Sequence, residues 1–321
     1  MKRYPLLLSS VTKTALWGGT RLCDEYGKTS SHEKVSESWE LTIRAGDENT
    51  VQNGEAKGMS LSAALAAFGE DALGSRFSDE RFPLLIKLID ACDRLSVQVH
   101  PDDVYAHSHG IDSGKTEMWY VVDAKPGATL IAGLREGVSA EDFRNAVQNG
   151  QLDRVMQEVP VHAGDVFFIP AGLLHAIGSG ILICEIQQNS DTTYRVWDYD
   201  RRGADGKLRE LHVKEALEVV RPITANEIER ERFSGVCPLP GEPLAACERF
   251  SASRFIVKGS QNLSVNGESF WSTTVISGAG YIVANGESLP VRKGDTVLLP
   301  AGLGDVELSG EAELLIAALG V

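Results

Sequence analysis

The sequence lacks the features of membrane proteins and of disulfide-rich secreted proteins. No stretch approaches the roughly 20 consecutive apolar residues that a membrane-spanning helix needs. The five cysteines among 321 residues are odd in number and include no Cys-x-x-Cys pair, so reduced thiols are expected rather than a disulfide framework. The N-terminal apolar run is only Leu-Leu-Leu, too short for a secretory signal. We therefore expect a cytoplasmic protein that does not associate with membranes.

Positive charge is also scarce. The chain has 31 Lys and Arg residues against 45 Asp and Glu, for a formal net charge of −14. This excess of negative charge disfavours nucleic acids and anionic membranes as partners. No glycine-rich loop of the P-loop or dinucleotide-binding type is present, so a nucleotide cofactor is not expected either. A site for an anionic ligand would have to supply its own cations against the field of the whole chain.

Short apolar runs bounded by Gly, Pro and Asp dominate the regions 80–200 and 272–302. Strands with turn signals about every 8–12 residues are typical of a sandwich or a barrel. Helical patterns occur at 60–73, at 139–159 with a break at Asn149-Gly150, and at 211–222. They do not alternate with the strands, so we interpret them as insertions into an all-β architecture.

One sequence pattern occurs twice. Residues 164–178 read GDVFFIPAGLLHAIG, and residues 294–308 read GDTVLLPAGLGDVEL. Gly-Asp is typical of a turn into a strand and Pro-Ala-Gly of a turn out of it, so the repeat predicts that one all-β unit is used twice. The pattern resembles the second motif of the cupin family, whose fold is a jelly roll. We therefore expect a mainly β protein with two cupin-type jelly-roll barrels and helical insertions.

The expected organisation has three parts. Residues 1–220 would form the first barrel with an N-terminal extension and the helical insertions, 221–240 a linker, and 241–321 a degenerate second barrel. The first copy of the repeat contains His175 three residues after Gly172, whereas the second copy has no histidine and is expected to have Gly304 at that position. Because the pattern persists without it, the histidine is expected to serve a task of the first barrel. No metal is expected in the second barrel.

Four residues of the first unit could form a metal site. Gln98 and His100 are two positions apart and so share one face of a strand. If that face points inward, burying two unpartnered polar groups would cost roughly 1–3 kcal/mol each, and a metal would satisfy both. Glu117 opens another strand, and His175 follows the Pro-Ala-Gly turn. Two imidazoles and a carboxylate suit zinc, and suit iron or manganese almost as well.

A purely structural interpretation of these side chains stays open at this point. A lone interior histidine is more often hydrogen-bonded than metal-bound, and the pair of Gln98 and His100 is weak by itself. The loss of histidine from the second repeat is what favours a functional role for His175. His107 and His109 lie in a polar loop that ends in glycine and are not expected to be ligands.

Three charged residues are candidates for chemistry. Arg195 lies in an apolar setting, where a guanidinium could stabilise an oxyanion or bind a phosphate. The alternative is a structural ion pair with Asp198 or Asp200. Lys115 precedes a proposed metal ligand by two residues, and Glu185 precedes the arginine by ten.

Together these segments resemble type I mannose-6-phosphate isomerases in their shorter bacterial form. The matching segments run in order over about residues 1–220: LWGGTRL (16–22), ESWEL (37–41), LSVQVHPDD (95–103), GKTEMWYVV (114–122), PAGLLHAIGSG (170–180), EIQQNSDTTYRVWDYDR (185–201) and LHVKEAL (211–217). The last hundred residues resemble the family only as a degenerate cupin domain.

The resemblance implies a zinc enzyme that interconverts mannose 6-phosphate and fructose 6-phosphate through a cis-enediol. It implies one Zn²⁺ per chain, bound by the four residues described above, with Arg195, Glu185 and Lys115 as catalytic residues. Longer family members continue after the arginine with a lysine-bearing loop, whereas this chain reads VWDYDRR. Arg201 or Arg202 could replace that lysine as a phosphate contact.

Two other functions are weighed against this interpretation. An iron-dependent cupin oxygenase also uses two histidines and a carboxylate, but a fourth protein ligand, Gln98, would leave fewer open positions for oxygen and substrate. A sugar-phosphate sensor that does not catalyse a reaction would need fewer acidic and basic side chains at its site than Lys115, Glu185 and Arg195. The expected partner is a small sugar phosphate, and the expected state is a monomer or a weak homo-oligomer.

Overall fold

The computed structural model describes residues 1–78, 81–203 and 206–321. The strands in these ranges are β1 (Leu6–Leu8), β2 (Val11–Lys13), β3 (Glu37–Leu41), β4 (Ile43–Arg44), β5 (Asp47–Glu48), β6 (Leu84–Ala91), β7 (Val97–Val99), β8 (Glu117–Ala124), β9 (Thr129–Leu134), β10 (Met156–Pro160), β11 (Val166–Ile169), β12 (His175–Ala176), β13 (Ile181–Gln188), β14 (Tyr194–Trp197), β15 (Glu242–Ala246), β16 (Phe250–Val265), β17 (Trp271–Ala284), β18 (Glu287–Arg292), β19 (Thr296–Leu299) and β20 (Gly304–Leu319). The α-helices are α1 (Arg21–Asp24), α2 (Leu61–Phe68), α3 (Asp103–Ser108), α4 (Ala140–Gln148), α5 (Val213–Val219) and α6 (Ala225–Arg232). Short 3-10 helices follow α2 and α4, at Glu70–Leu73 and Leu152–Arg154. Within the described ranges, no helix is both long and apolar enough to cross a membrane.

The first barrel consists of two antiparallel sheets. One has the strand order β11-β8-β13-β6-β3-β2, and the other has the order β10-β9-β12-β7-β14. An apolar cluster fills the space between them. It contains Trp119 and Ile183 of the first sheet, Leu130 of the second sheet, and Ile177, which follows β12. Since side chains alternate along each strand, this inward face also carries the polar residues described in the next section.

The second barrel is built from one larger antiparallel sheet of order β1-β19-β17-β20-β16-β15, with β18 on the free part of β17. Strand β17 pairs with β19 through its first four residues and with β18 through its last six. The pairing of β17 with β20 shifts register between Val275 and Ser277. A bulge of this kind bends a strand, which lets one long strand serve both sides of the barrel. The mainly β fold with two barrels is as the sequence predicted.

The two barrels pack directly against each other. The outward faces of β6, β8 and β13 place Leu88, Met118 and Ile186 in one cluster with Phe250 and Leu315 of the second barrel. The start of the chain also lies here, because β1 pairs with β19 of the second sheet. Strands β2 and β3 of the N-terminal extension join the first barrel, whereas β1 joins the second. A three-residue strand of leucines is stable only where both cores can bury it, and Leu6 is fully buried between them.

The helical segments agree with the sequence except at two places. The segment 139–159 was expected to be helical on both sides of its break, but Met156–Pro160 instead forms strand β10 on β9. The connection after α5 contains α6, which begins at a capping box of Thr224 and Glu227. That Thr-x-x-Glu signal is visible in the sequence and was missed. The expected linker of residues 221–240 is thus partly helical.

The repeated pattern adopts the same turn in both barrels. In each copy the leucine N–H bonds to the proline carbonyl, at 3.1 Å in Pro170–Leu173 and 3.2 Å in Pro300–Leu303. The glycines of the two turns have φ of 89° and 67°, a region that strongly favours glycine. The expectation that Gly304 stands at the position of His175 is wrong by one residue, because counted from this turn the equivalent residue is Asp305, whose side chain is exposed.

Candidate metal centre and active site

Three strands from the two facing sheets bring the predicted metal ligands together inside the first barrel. Gln98 of β7 is paired directly with His175 of β12, and His100 follows the end of β7. Glu117 is the first residue of β8 in the opposite sheet. The two histidines and the glutamate are 0–1% exposed, and Gln98 is half-buried. The structure therefore places the four residues on one inward-facing surface.

The carboxylate of Glu117 lies between the two imidazoles. Its Oε2 is 3.6 Å from Nε2 of His100, and its Oε1 is 3.5 Å from Nε2 of His175. One ligand atom from each of the three residues lies within 4.8 Å of the others. A single ion at the centre of this group could therefore contact all three.

Hydrogen bonds fix the tautomers of both histidines. Nδ1 of His100 is 2.8 Å from the Thr192 carbonyl, and Nδ1 of His175 is 2.8 Å from the Leu173 carbonyl. Because a carbonyl only accepts, each Nδ1 carries the proton and each Nε2 presents a lone pair towards Glu117. Burial lowers the pKa of His100 well below its usual value and lowers the pKa of His175 to about 3. Neutral imidazoles held in this way are suited to metal coordination.

Lys115 compensates the buried negative charge of Glu117 only in part. Neither carboxylate oxygen of Glu117 has a hydrogen-bond partner of acceptable geometry, although Nζ of Lys115 lies 2.5 Å from Oε2. The same Nζ is 3.2 Å from Nε2 of His100. Burial, reinforced by the nearby carboxylate of Glu185, raises the pKa of Glu117 despite the ammonium group. A buried carboxylate that faces two nitrogen lone pairs is electrostatically unfavourable unless a positive ion offsets it.

Gln98 completes the donor set. Its Nε2 lies 3.3 Å from Nε2 of His175, and turning its amide over would present Oε1 instead. Two imidazoles, one carboxylate and one amide oxygen suit Zn²⁺, Fe²⁺ or Mn²⁺. The residues therefore fit a divalent metal, and the set itself does not select one of these ions.

Arg195 lies on the same inward face as Gln98, to which it is paired across β14 and β7. Its Nε donates to the Ser96 hydroxyl at 3.2 Å, and its Nη1 donates to the Glu210 carbonyl at 3.1 Å. In the described part of the chain no carboxylate forms an ion pair with it. Asp198, the expected structural partner, pairs instead with other arginines. The half-buried guanidinium thus retains a positive charge that no carboxylate neutralises directly.

Glu185 lies one layer deeper in the same barrel. Its Oε1 accepts from Nε1 of Trp119 at 3.0 Å, and its Oε2 is 3.0 Å from Nζ of Lys87. Burial favours the neutral acid, but the positive charges of Lys115 and Lys87 outweigh it and lower the pKa of Glu185. A glutamate that transfers protons efficiently near neutral pH needs a raised pKa or close positioning, and the pKa of Glu185 is shifted in the opposite direction.

Lys87 was not identified from the sequence. It is 6% exposed, ion-pairs with Glu185, and lies 3.7 Å from Glu37. Buried lysines are rare unless they are paired. The signal was a lysine inside the otherwise apolar run PLLIKLIDA of β6, on the face that alternation places inward.

The other candidate residues lie apart from this group. His107 is on α3 and His109 caps it, so they are not in the loop that we expected, and both are exposed. Arg201 pairs with Asp198, and Arg202 donates to the Gly206 carbonyl. Both arginines are therefore already engaged within the protein.

Comparison with known proteins is consistent with this geometry. The family model "Phosphomannose isomerase type I, catalytic domain" matches residues 6–131. The model "Mannose-6-phosphate isomerase, cupin domain" matches residues 243–319. The first match includes three of the four proposed ligands and ends before His175 and Arg195.

Similar proteins match over nearly the whole chain. Mannose-6-phosphate isomerase ManA of Bacillus subtilis (strain 168) is 39% identical over 320 residues, which cover 99% of this chain and 100% of that protein. A crystal structure of the mannose 6-phosphate isomerase from Bacillus subtilis has a TM-score of 0.87 at 32% identity and covers 98% of this chain and 99% of that one. A mannose 6-phosphate isomerase structure bound with zinc and yttrium shares the fold, with a TM-score of 0.77 at 16% identity and coverage of 99% and 100%. The chain therefore belongs to the type I mannose-6-phosphate isomerase family.

Proposed function

We propose that this chain interconverts mannose 6-phosphate and fructose 6-phosphate, with one Zn²⁺ bound by Gln98, His100, Glu117 and His175. The observation that carries the metal site is the buried carboxylate of Glu117, which lacks regular hydrogen bonds and faces two Nε2 lone pairs. Zinc is chosen among the possible ions because a structure of the same fold is described as bound with zinc. When bound, the ion would supply a Lewis acid for the sugar oxygens and hold the pocket together.

The reaction moves one proton between adjacent carbons. A base removes the C2 proton of the open-chain aldose while O1 gains a proton, which gives a cis-enediol. The O2 hydroxyl then loses its proton as a proton is delivered to C1, which gives the ketose. Lys115 is the better placed of the two candidate proton carriers, because its Nζ lies among the ligand atoms. To accept the C2 proton its amine must be neutral, and the ammonium group so formed can return the proton to C1.

Arg195 is proposed to stabilise negative charge on the substrate. Its guanidinium is held by the Ser96 hydroxyl and the Glu210 carbonyl, two neutral acceptors that leave its charge unneutralised. A fixed cation of this kind can stabilise an enediolate or bind the phosphate. It also supplies the local positive charge that a chain of net charge −14 must provide for an anionic substrate.

Glu185 is proposed to act as a fixed negative charge. The lowered pKa keeps the carboxylate ionised, which makes it a weak proton acceptor near neutral pH. Its bonds to Lys87 and to Trp119 hold the layer beneath the metal site. The ring of Trp119 in turn lies 5.4 Å from that of His175 in an edge-to-face arrangement.

The remaining expectations concern organisation. The second barrel, residues 241–321, is proposed to be a scaffold without metal, with residues 221–240 as the connection and residues 1–220 as the catalytic part. All five cysteines are free, which supports reduced thiols and a cytoplasmic location. A monomer or weak homo-oligomer remains the proposed state.

The first experiment is isomerase turnover of the purified, zinc-loaded protein on mannose 6-phosphate, coupled to detection of fructose 6-phosphate. We expect turnover that disappears with a chelator and returns with zinc. A protein that binds zinc stoichiometrically but shows no turnover would reject the isomerase and favour a sensor or another sugar substrate. Reactivation by iron alone, together with oxygen consumption, would favour the oxygenase.

A further inference from the structure

The two metal-facing histidines are anchored in different ways. The acceptor for Nδ1 of His175 is the Leu173 carbonyl, two residues away in the same turn. The acceptor for Nδ1 of His100 is the Thr192 carbonyl, 92 residues away in sequence. The orientation of His175 is therefore set locally, whereas that of His100 depends on where the loop 189–193 is held.

Arg44 holds that loop from the β4–β5 hairpin. Its Nη1 donates to the backbone carbonyl of Asn189 at 3.0 Å and to the side-chain Oδ1 of the same residue at 3.2 Å. Its Nη2 lies 2.8 Å from Oδ1 of Asp191. One planar guanidinium thus binds both residues that flank Ser190, a geometry that an ammonium group cannot reproduce.

The residue between these two contacts connects the loop to the site. Ser190 is 4% exposed, and its hydroxyl donates to the Ser113 carbonyl at 3.1 Å. The same oxygen accepts from the N–H of Thr192 at 3.4 Å. Ser113 is two residues before Lys115 along the chain. A displacement at Asp191 would therefore first move the Thr192 carbonyl. It would then move the segment from Ser113 to Lys115.

We propose that Arg44 is a positioning residue of the metal centre, which holds the loop 189–193 so that the Thr192 carbonyl fixes the metal-binding tautomer and orientation of His100. The inference rests on the metal site of the proposed function. Arg44 does not touch the proposed ligands and acts only through Asp191 and Thr192. Since Asn189 is held independently by its own amide to the Phe82 carbonyl, losing Arg44 frees the later part of the loop rather than all of it.

The expected effect is larger on the metal than on the fold. The Arg44–Asp191 pair is partly exposed, with side-chain exposures of 25% and 60%, and such pairs contribute little to stability. Partners that orient a metal-binding histidine change metal affinity by about 10- to 100-fold. Arg44 does not bond to the histidine itself but holds the loop that does. We therefore expect Arg44→Ala to weaken zinc binding by about tenfold, at the lower end of that range, with little change in thermal unfolding.

The test measures metal binding by the full chain without turnover. Zinc affinity is determined by competition with a chromogenic chelator, and the Co²⁺-loaded protein is compared by its visible absorption spectrum. The variants are Arg44→Ala, Arg44→Lys, and Arg76→Ala as the matched control. Arg76 lines the same cleft as Arg44 and pairs with Glu268, so its loss removes the same charge without touching the loop.

We expect weaker zinc binding and an altered Co²⁺ spectrum for Arg44→Ala, a smaller change for Arg44→Lys, and wild-type behaviour for Arg76→Ala. Wild-type zinc affinity and Co²⁺ spectrum in Arg44→Ala would overturn the proposal. An equal loss in Arg76→Ala would also overturn it, because the charge of the cleft would then be responsible.

A double-mutant cycle with Asp191→Asn isolates the contact itself. If Arg44 acts through Asp191, the losses of zinc affinity in the two single variants will not add in the double variant. Full additivity would contradict the proposed route. These readouts also separate this inference from the isomerase assignment. If the wild-type protein binds zinc but shows no turnover, only the isomerase assignment is rejected. If the wild-type enzyme is active and Arg44→Ala binds zinc as the wild type does, only this inference is rejected.

Discussion

The two barrels share the same pair of backbone turns and differ in the side chains on their inward faces. In the first copy the N–H of Gly164 bonds to the Val121 carbonyl at 2.8 Å, and in the second the N–H of Gly294 bonds to the Val275 carbonyl at 2.9 Å. The Pro-Ala-Gly-Leu turn that follows closes in the same way in both. Gly, Asp, Pro and Ala therefore recur because the turns need them, whatever the barrel contains.

The difference appears at equivalent positions along the neighbouring strand. Ile169, the last residue before the first turn, pairs with Glu117, whereas Leu299 in the second copy pairs with Trp271. The core of the second barrel is a cluster of apolar side chains that includes this tryptophan. The same turns thus support a barrel whose apolar core contains a charged cluster and a second barrel whose core is a cluster of apolar side chains. Function lies in the side chains that the frame presents, not in the frame.

The largest expected effect tests the residue that distinguishes the repeats. His175→Ala should reduce isomerase turnover to background and weaken zinc binding by more than about 100-fold. Removing a residue that only orients a metal ligand already lowers metal affinity by about 10- to 100-fold, and a direct ligand should matter more. Metal content by mass spectrometry and coupled turnover are the measurements. Asp305→Ala at the exposed equivalent position should leave both unchanged. A His175→Ala protein that retains full zinc would remove this residue from the ligand set.

A second variant addresses the interior of the other barrel. Trp271→Ala should lower the free energy of unfolding by about 3–5 kcal/mol, because it leaves a large cavity in an apolar core. Zinc bound per folded molecule should not change. Glu117→Gln, at the equivalent position of the first barrel, should give the reverse result, with loss of zinc and a smaller effect on stability. Denaturant unfolding and zinc titration distinguish the two outcomes, and zinc loss in Trp271→Ala would refute the division of roles.

A third variant separates charge stabilisation from metal binding within the first barrel. Arg195→Ala should lower turnover by about 10²- to 10³-fold, as expected when a cation that stabilises developing charge is removed. Zinc stoichiometry should be unaffected. Lys258→Ala, on an exposed part of β16 in the second barrel, is the control for loss of one positive charge. Equal loss of zinc and turnover in Arg195→Ala would contradict its proposed role.

The smallest expected effects are those of replacing the glycines in the two Pro-Ala-Gly-Leu turns. Gly302→Ala should cost about 1–2 kcal/mol of stability from the left-handed conformation, since among the described residues its Cβ would approach only the end of the flexible Arg3 side chain. Gly172→Ala should cost more, because its Cβ would also lie 2.9 Å from the Val219 carbonyl. Only Gly172→Ala should weaken zinc binding as well, through the adjacent Leu173 carbonyl. Equal zinc affinities in the two variants would argue against local anchoring of His175.

Some features of the fold could be predicted because they depend on local sequence. The repeated turn, the strands that flank it and the capped helix α4 each follow from residues within a few positions of one another. Strand β1 could not be predicted in its place, because which sheet accepts a leucine triplet depends on a surface nearly 300 residues further along the chain. Strand β10 was missed for the same reason, since its partner β9 decides its conformation.

The sequence by itself determined which four residues are proposed as ligands, the shared face of Gln98 and His100, and the loss of histidine from the second repeat. It also placed the chain in its family through several long motifs in order along the chain. Only the tertiary structure decided which side chains share the low-dielectric interior and what charge each one holds there. Lys87 and the shifted pKa of Glu185 belong to this second class, as do the contacts from which we infer that His100 depends on Arg44. The reason is physical: alternation fixes the face on which a side chain lies, whereas burial, partners and charge depend on strands that are distant in sequence.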